Sequence, residues 1–146
     1  MYSGYIQVHR STVLIVGKEV LTLDLLTLHI TPLAPFLIPR EGVGIAHVDN
    51  TVFVFRGSVG SGPIRVCEKS SVPPACWTPL SPMHRPRNWF TRCHFKALLY
   101  LASTFSTDHR VVESFSPHTE TFSVLCLSLF RYRLAGPQLR SWPTEN

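Results

Sequence analysis

The sequence predicts an all-β fold made of about three repeated units, each a sheet of four short strands. The chain repeats itself at a spacing of 45 to 47 residues. Its apolar segments are short, rich in β-branched and aromatic side chains, and bounded by Gly, Pro, Ser, Asn or Asp, which is typical of strands joined by tight turns. No segment shows the sustained periodicity of an amphipathic helix.

The repeat is clearest around two Pro-rich segments. The pattern Pro-Leu-x-Pro, followed five residues later by Arg, spans residues 32–40 and returns in residues 79–87, at an offset of 47. The same offset continues without a gap and places the apolar run 52–54 on residues 99–101. A fixed period of this kind indicates that one unit of secondary structure is used several times.

The amino-terminal unit is a shorter copy of the same pattern, because residues 12–17 match residues 51–57, including the closing glycine. Runs of Val, Ile, Leu, Phe, Tyr and Thr favour strands, and the Gly, Pro, Ser, Asn and Asp residues between them favour turns. In the first unit this predicts strands at 5–9, 12–16, 20–24 and 28–33. In the second unit it predicts strands at 42–47, 51–55, 64–69 and 75–80. In the third unit it predicts strands at 90–94, 97–101, 110–115 and 121–125.

Four strands and one sheet per repeat is the organisation of a β-propeller blade. The second strands, at 13–16, 52–55 and 98–101, are nearly continuous apolar runs, as expected of strands buried on both faces between neighbouring sheets. Propellers close with about four to eight blades, so three units predict a partial β-propeller.

This architecture predicts a single domain over the whole chain. The blades are expected at about residues 4–38, 43–83 and 89–129, and residues 130–146 form an unassigned tail. A partial ring leaves two apolar end faces in water, which favours self-association through those faces. The interpretation that the sequence favours is a fragment of a larger propeller, and the alternatives are pairing with copies of itself and a marginal fold.

Three segments resemble the kelch-repeat family. Residues 77–83 (Trp-Thr-Pro-Leu-Ser-Pro-Met), followed by Arg87, are similar to the junction between two kelch repeats. The turn at residues 115–122 resembles the corner of such a repeat, and residues 49–57 resemble its second strand. The resemblance extends over nearly the whole predicted propeller, with degenerate repeats.

The predicted blade packing assigns roles to two sets of side chains. Trp77 and its repeat equivalents, Ile30 and Phe122, are expected to fill the space between adjacent blades. Arg40 and Arg87 are expected to satisfy carbonyl groups near the blade junctions.

Kelch-like propellers mostly present loops to protein partners, so the resemblance implies a protein–protein interaction module with an unidentified protein partner. The loops between the second and third strands emerge on one side of a propeller and give the predicted contact surface. The residues predicted to bind are Arg56, Ser58, Arg65, Asp108, His109 and Arg110. Two alternatives stay open: a remnant of a propeller enzyme, such as an oxidase or a sialidase-like hydrolase, and a non-functional fragment.

Composition argues against several other classes of function. The net charge is +5, but the Arg residues are scattered along the chain, which argues against a nucleic-acid interface. The four Cys residues contain no Cys-x-x-Cys pair and no secretion signal precedes them, so we expect reduced thiols in a cytoplasmic protein. The apolar stretch 20–38 is interrupted by Asp24, Pro32 and Pro35, so no membrane segment is predicted.

The sequence gives only weak evidence for a catalytic or metal site. His9, His47 and His94 fall at matching places in the three units, and imidazoles can bind zinc or copper. Equivalent positions in adjacent blades are too far apart to share one ion, so repeat descent explains them better and no metal or other cofactor is expected. Cys93 precedes His94 directly, and adjacent strand residues point to opposite faces, so the two cannot act as a nucleophile and its base.

Two further sequence features resemble a catalytic or phosphate-binding site but are explained better by structural roles. Glu68 and Glu113 recur at one repeat position, but pairing with an Arg of the blade explains them better than a catalytic carboxylate pair. The glycines of residues 57–62 lack the following helix that a phosphate-binding loop needs. Gly57 instead suits a strand end that requires positive φ and a close approach of backbone. No catalytic residues are therefore predicted.

Overall fold

The structure is a computed structural model that describes residues 2–72, 76–84, 90–103 and 111–126. These residues form fourteen strands and no helix, so the predicted all-β class is confirmed. Twelve of the strands build three four-stranded antiparallel sheets, and the other two form a small hairpin.

Sheet 1 is a meander in which each strand pairs with the next one along the chain. Its strands are β1 (Tyr2–Gln7), β2 (Thr12–Gly17), β3 (Val20–Asp24) and β4 (Ile30–Pro32). The register places Ile15 between Tyr5 and Leu21, so these three side chains share one face of the sheet.

Sheet 2 has the same order of strands but carries an inserted hairpin. Its strands are β5 (Gly44–Val48), β6 (Thr51–Phe55), β9 (Cys67–Ser71) and β10 (Thr78–Leu80), and the hairpin consists of β7 (Ser58–Val59) and β8 (Gly62–Pro63). Sheet 3 is again a simple meander of β11 (Phe90–Phe95), β12 (Leu98–Ser103), β13 (Val111–Ser116) and β14 (Thr121–Cys126).

The predicted strands are confirmed where they fall on described residues, with shifts of a few residues at the ends. The third strand of sheet 2, for example, begins at Cys67 and not at residue 64. Ile64 donates its N–H to the Gly57 carbonyl at 3.0 Å, and the Val66 carbonyl accepts from Arg56 N at 2.9 Å. Hydrogen bonds within the loop and one from Met83 N to the Arg65 carbonyl, at 3.1 Å, therefore replace strand pairing in this segment.

Sheet 2 lies between two apolar cores because its side chains alternate between its faces. Val52 and Val54 enter the first core, which packs sheet 1 against sheet 2. Phe53 and Phe55 enter the second core, which packs sheet 2 against sheet 3. The prediction of a doubly covered strand is confirmed for residues 52–55, which are all buried. In the equivalent runs of sheets 1 and 3, Val13, Ile15, Leu98 and Tyr100 are only half-buried.

The first strands of sheets 1 and 2 approach each other closely. Gly4 of β1 lies against Ile45 of β5, where an added Cβ would come within 3.4 Å of Ile45 Cδ1. The contact joins the two sheets along their first strands.

Gly57 ends β6 in a conformation that only glycine adopts easily. Its φ is +125°, and an added Cβ would lie 2.7 Å from the Glu41 carbonyl oxygen. We expect Gly57→Ala to lower the free energy of unfolding by about 2–4 kcal/mol, because backbone strain adds to a clash with backbone. Denaturant unfolding measures the loss.

Gly60→Ala is the matched control for this substitution. No atom lies within 4 Å of a Cβ added at Gly60. The expected change is within about 0.5 kcal/mol. Equal effects of the two substitutions would contradict the assignment of strain to Gly57.

Candidate functional site

A buried ion pair fastens the linker between sheets 1 and 2. Arg40 Nη1 lies 2.9 Å from Glu68 Oε1, and both side chains are 0% exposed. The second oxygen, Glu68 Oε2, accepts a hydrogen bond from Leu37 N at 2.9 Å. The Arg40 guanidinium also lies 5.2 Å from the centre of the Phe36 ring. The expectation that Arg40 serves carbonyl groups is corrected, since its closest described polar partner is a carboxylate that needs a counter-charge.

The same arrangement recurs at the next junction. Glu113 Oε1 accepts a hydrogen bond from His84 N at 2.8 Å, and Glu113 is fully buried. His84 follows Leu37 by 47 residues, so the two backbone donors are repeat equivalents. Arg87, the equivalent of Arg40, lies outside the described residues. Each junction therefore uses a carboxylate on the third strand of one sheet to hold the linker that arrives from the sheet before it.

These two carboxylates have structural partners and are closed to solvent. Glu68 is 0% exposed and holds one Arg and one backbone N–H. Glu113 is likewise 0% exposed. A general acid or base must reach the substrate within hydrogen-bond distance, and neither group has access to one in this structure.

Trp77 fills the junction between sheets 1 and 2, as predicted. It is 3% exposed, its ring meets the Phe36 ring edge-on at 4.7 Å, and its indole N–H donates to the Ala34 carbonyl at 2.9 Å. Phe122 contacts Phe115 and Phe55 in the second core.

Ile30 does not play the role predicted for it. It is 55% exposed on sheet 1. Trp77 and Phe122 each pack against the sheet that precedes their own, whereas no described sheet precedes sheet 1. The side chain at the first repeat position therefore remains in solvent.

The predicted contact loop lines a cavity at one end of sheets 1 and 2. The cavity has a volume of about 530 Å³ and is lined by Lys18, Pro39, Arg40, Glu41, Ser58, Val59 and Gly60. Ser58 and Glu41 are held together by two backbone hydrogen bonds of 2.8 and 3.1 Å. An exposed ion pair of 3.5 Å joins Lys18 to Glu41 at its rim.

The remaining predicted contact residues differ in their exposure to solvent. Arg65 is exposed, and its Nη1 donates to the His84 carbonyl at 3.3 Å. Arg56 is only 1% exposed, so the expectation that its side chain is presented on a loop surface is corrected. Its N–H bonds to Val66 within the folded-back loop, which carries the residue inward. Asp108, His109 and Arg110 lie outside the described residues.

A second cavity, at the turn ends of sheets 2 and 3, was not predicted from the sequence. It has a volume of about 410 Å³ and is lined by Val48, Asp49, Thr51, Phe53, His94, Lys96, Ala97, Pro117 and His118. Asp49 and Lys96 occupy the first tight turns of their sheets with positive φ. The sequence signal was the common position of these turns in successive repeats.

The described residues contain no cluster of metal ligands and no membrane-spanning helix. His9 and His94 are exposed and His47 is half-buried. No three His, Cys, Asp or Glu side chains cluster as metal ligands within the described ranges. Nor do those ranges contain a helix with the length and apolar character needed to cross a bilayer.

Cys67 is a buried thiol whose reactivity is low. Burial raises the pKa of Cys67 from 9.0 to about 11, while Cys76 is exposed. At pH 8 we expect iodoacetamide to modify Cys76 rapidly and to leave Cys67 unmodified until the chain unfolds, because the thiolate is the nucleophile. Peptide mass spectrometry identifies each site, and rapid labelling of Cys67 in the folded protein would contradict its burial.

The same pKa shift predicts how stability depends on pH. The thiol is protonated in both states below pH 9, so its contribution is fully present there. The unfolded state ionises first as the pH rises, so the free energy of unfolding falls between pH 9 and about 11. Cys67→Ala is expected to remove this part of the pH dependence.

Comparison with known proteins gives a fold likeness and no family. No family model matches the chain, and no curated protein matches it. Among solved structures, one described as the structure of YjhT superposes with a TM-score of 0.71 and 18% sequence identity over 88% of this chain. The match covers 52% of that chain, so this protein spans about half its length. At this identity the likeness shows a shared fold alone.

Proposed function

We propose that this chain is a protein–protein interaction module made of three degenerate kelch-like blades of a partial β-propeller. In this proposal each four-stranded sheet is one blade, and the chain forms a single domain without catalytic activity of its own. Its partner is a protein, and its action requires no cofactor, nucleic acid or membrane. We also propose a cytoplasmic location, which suits the unpaired thiols of Cys67 and Cys76.

The repeated contact between each linker and the sheet that follows it supports the interpretation of the sheets as blades. Glu68 and Glu113 occupy the same register position, opposite Val54 and Leu101 respectively. Each accepts a backbone N–H from the linker before its sheet. The approach of Gly4 to Ile45 along the first strands suits sheets that converge towards a common axis.

The main evidence for a binding function is the cavity beside the loop of sheet 2. It is a half-open groove of about 530 Å³ whose lining includes the predicted contact residue Ser58. Its rim offers an exposed Lys18–Glu41 pair and the hairpin tip at Gly60. Such a mixed polar rim suits a protein surface, whereas the closed carboxylates offer no group for hydrolysis.

Site-directed photo-crosslinking tests this proposal. A photo-reactive residue at Gly60 is compared with the same residue at His118, which lies at the turn end of sheet 3. We expect a specific protein to crosslink at Gly60 and not at His118, and to bind the purified chain. Arg65→Glu, on the same loop, should weaken that binding at least tenfold. Equal crosslinking at both positions, or none at Gly60, would contradict the proposed contact surface.

A further inference from the structure

Sheet 1 has an apolar face that no other described sheet covers. Strand register places Tyr5, Ile15, Leu21 and Pro32 in one row, and Gln7, Val13, Leu23 and Ile30 in the next row of the same face. None of these eight residues is charged. Tyr5 is 77% exposed and Ile30 is 55% exposed. A contiguous apolar face of this kind marks an interaction surface.

The free face of sheet 1 is equivalent, in the repeat, to the face of sheet 2 that packs against the sheet before it. Val13 and Ile15 are the repeat equivalents of Val52 and Val54, which pack against sheet 1 in the first core. One difference separates the two faces. Ile15 pairs with Leu21, whereas Val54 pairs with Glu68. An occupant can therefore cover sheet 1 without supplying a charge for a buried carboxylate.

Sheet 3 also has a face that no other described sheet covers, called here its free face, and this face belongs to the complementary type. Tyr100 stands 47 residues after Phe53, whose ring enters the core between sheets 2 and 3. On this face Ser114 is 6% exposed, Tyr100 and Val112 are half-buried, and Leu125 is 40% exposed. The other described side chains of this face are serine, threonine or leucine, so it too carries no charge.

The free face of sheet 3 is thus equivalent to the face that each sheet turns towards the next sheet, and the free face of sheet 1 is equivalent to the face that each sheet turns towards the preceding one. A second copy placed with its sheet 3 against sheet 1 of the first would continue the packing found between sheets 1 and 2. This chain matches 52% of the solved structure that it resembles, so that structure extends well beyond one copy of this chain. Six sheets fall within the range in which propellers close.

We propose that two copies of this chain associate end to end, with the free face of sheet 3 of each copy covering the free face of sheet 1 of the other. The pair contains two identical contacts and closes on itself, so it does not grow into a filament. Neither free face carries a charged residue, so the net charge of +5 comes from residues outside these two faces. This inference rests on the proposed function, in which each sheet is one blade of a partial propeller.

Sedimentation velocity over a concentration series tests the pairing, with one charged substitution on each face. Ile30→Lys alters sheet 1 and Leu125→Lys alters sheet 3, and each should raise the dimer dissociation constant at least tenfold, since a buried unpaired charge is costly. Leu37→Lys is the control, because Leu37 is 57% exposed on a linker away from both faces. Circular dichroism confirms that each variant keeps its β content.

Mixing the two variants distinguishes an end-to-end pair from a face-to-face pair. Ile30→Lys chains keep an intact sheet 3 face, and Leu125→Lys chains keep an intact sheet 1 face, so one good contact forms between them. We expect native mass spectrometry to show a heterodimer at concentrations where each variant alone is monomeric.

Four outcomes would overturn the inference. They are a wild-type chain that stays monomeric, a dimer indifferent to both substitutions, a dimer broken by Ile30→Lys alone, and growth beyond two copies. The crosslinking experiment fails or succeeds separately, because Gly60 lies on the loop of the middle sheet. A monomer that still crosslinks at Gly60 would refute the pairing and leave the interaction module standing.

Discussion

Removing either partner of the Arg40–Glu68 pair should lower the free energy of unfolding by about 3–5 kcal/mol, because it leaves an uncompensated buried charge at the junction. Both side chains are 0% exposed, and Glu68 also holds Leu37 N. The substitutions are Arg40→Met and Glu68→Gln, and denaturant unfolding gives the change in midpoint and in free energy.

The double variant is expected to recover part of the loss, since it buries no lone charge. Its free energy of unfolding should therefore exceed the value expected from adding the two single losses. Lys18→Ala supplies the control, because the Lys18–Glu41 pair is exposed and should contribute less than about 1 kcal/mol. Additive losses from Arg40→Met and Glu68→Gln would show that the two groups do not interact.

Trp77→Ala should destabilise the chain by about 3–5 kcal/mol, since it empties the space of a large side chain between two sheets. Trp77 is 3% exposed and contacts Phe36. Trp77→Phe keeps most of the ring area but loses the hydrogen bond to the Ala34 carbonyl, and should cost less than the alanine variant.

The equivalent position in sheet 1 gives an internal control for Trp77. Ile30 is 55% exposed, so Ile30→Ala should change the free energy of unfolding by less than about 1 kcal/mol at concentrations where the chain is monomeric. Thermal unfolding followed by circular dichroism compares the variants. A small effect of Trp77→Ala would contradict its role at the junction.

Local sequence determined what could be predicted of the fold. Strand positions follow from short apolar runs bounded by turn residues, and the run of residues 52–55 indicated a strand covered on both faces. The positive φ of Gly57 was also predicted, because the end of a strand that meets another backbone leaves no room for a Cβ.

Contacts between distant segments set the limit of prediction. The sequence suggested an Arg partner for Glu68, but it did not show that Leu37 N shares the carboxylate, because that depends on how the linker crosses the sheet. Arg56 was predicted to be exposed because it starts a polar, glycine-rich loop. The loop forms its own hairpin, and Arg56 is buried.

Ile30 illustrates a different limit. A repeat assigns equivalent positions to equivalent roles only where the neighbouring unit exists. Trp77 and Phe122 have a preceding sheet within the described residues, and Ile30 has none. The exposure of Ile30 therefore reflects the lack of a preceding sheet among the described residues, which the local sequence around it does not encode.

The central claim is that the three sheets converge like blades towards an axis, and electron paramagnetic resonance distances test it most directly. Spin labels at Gln7 and His94 report the spacing of β1 and β11, the first strands of sheets 1 and 3. Labels at Thr31 and Ser123 report the spacing of β4 and β14, the last strands. Exposed Cys76 and the Cys residues at 93 and 126 are replaced by Ser, and labelled chains are diluted with unlabelled chains.

Strands within a sheet are about 4.8 Å apart, so blades that diverge from an axis should make the Thr31–Ser123 distance longer than the Gln7–His94 distance by on the order of 20 Å. That difference is the result predicted here. Two equal distances would mean that the sheets lie in a parallel stack, and would contradict the partial propeller.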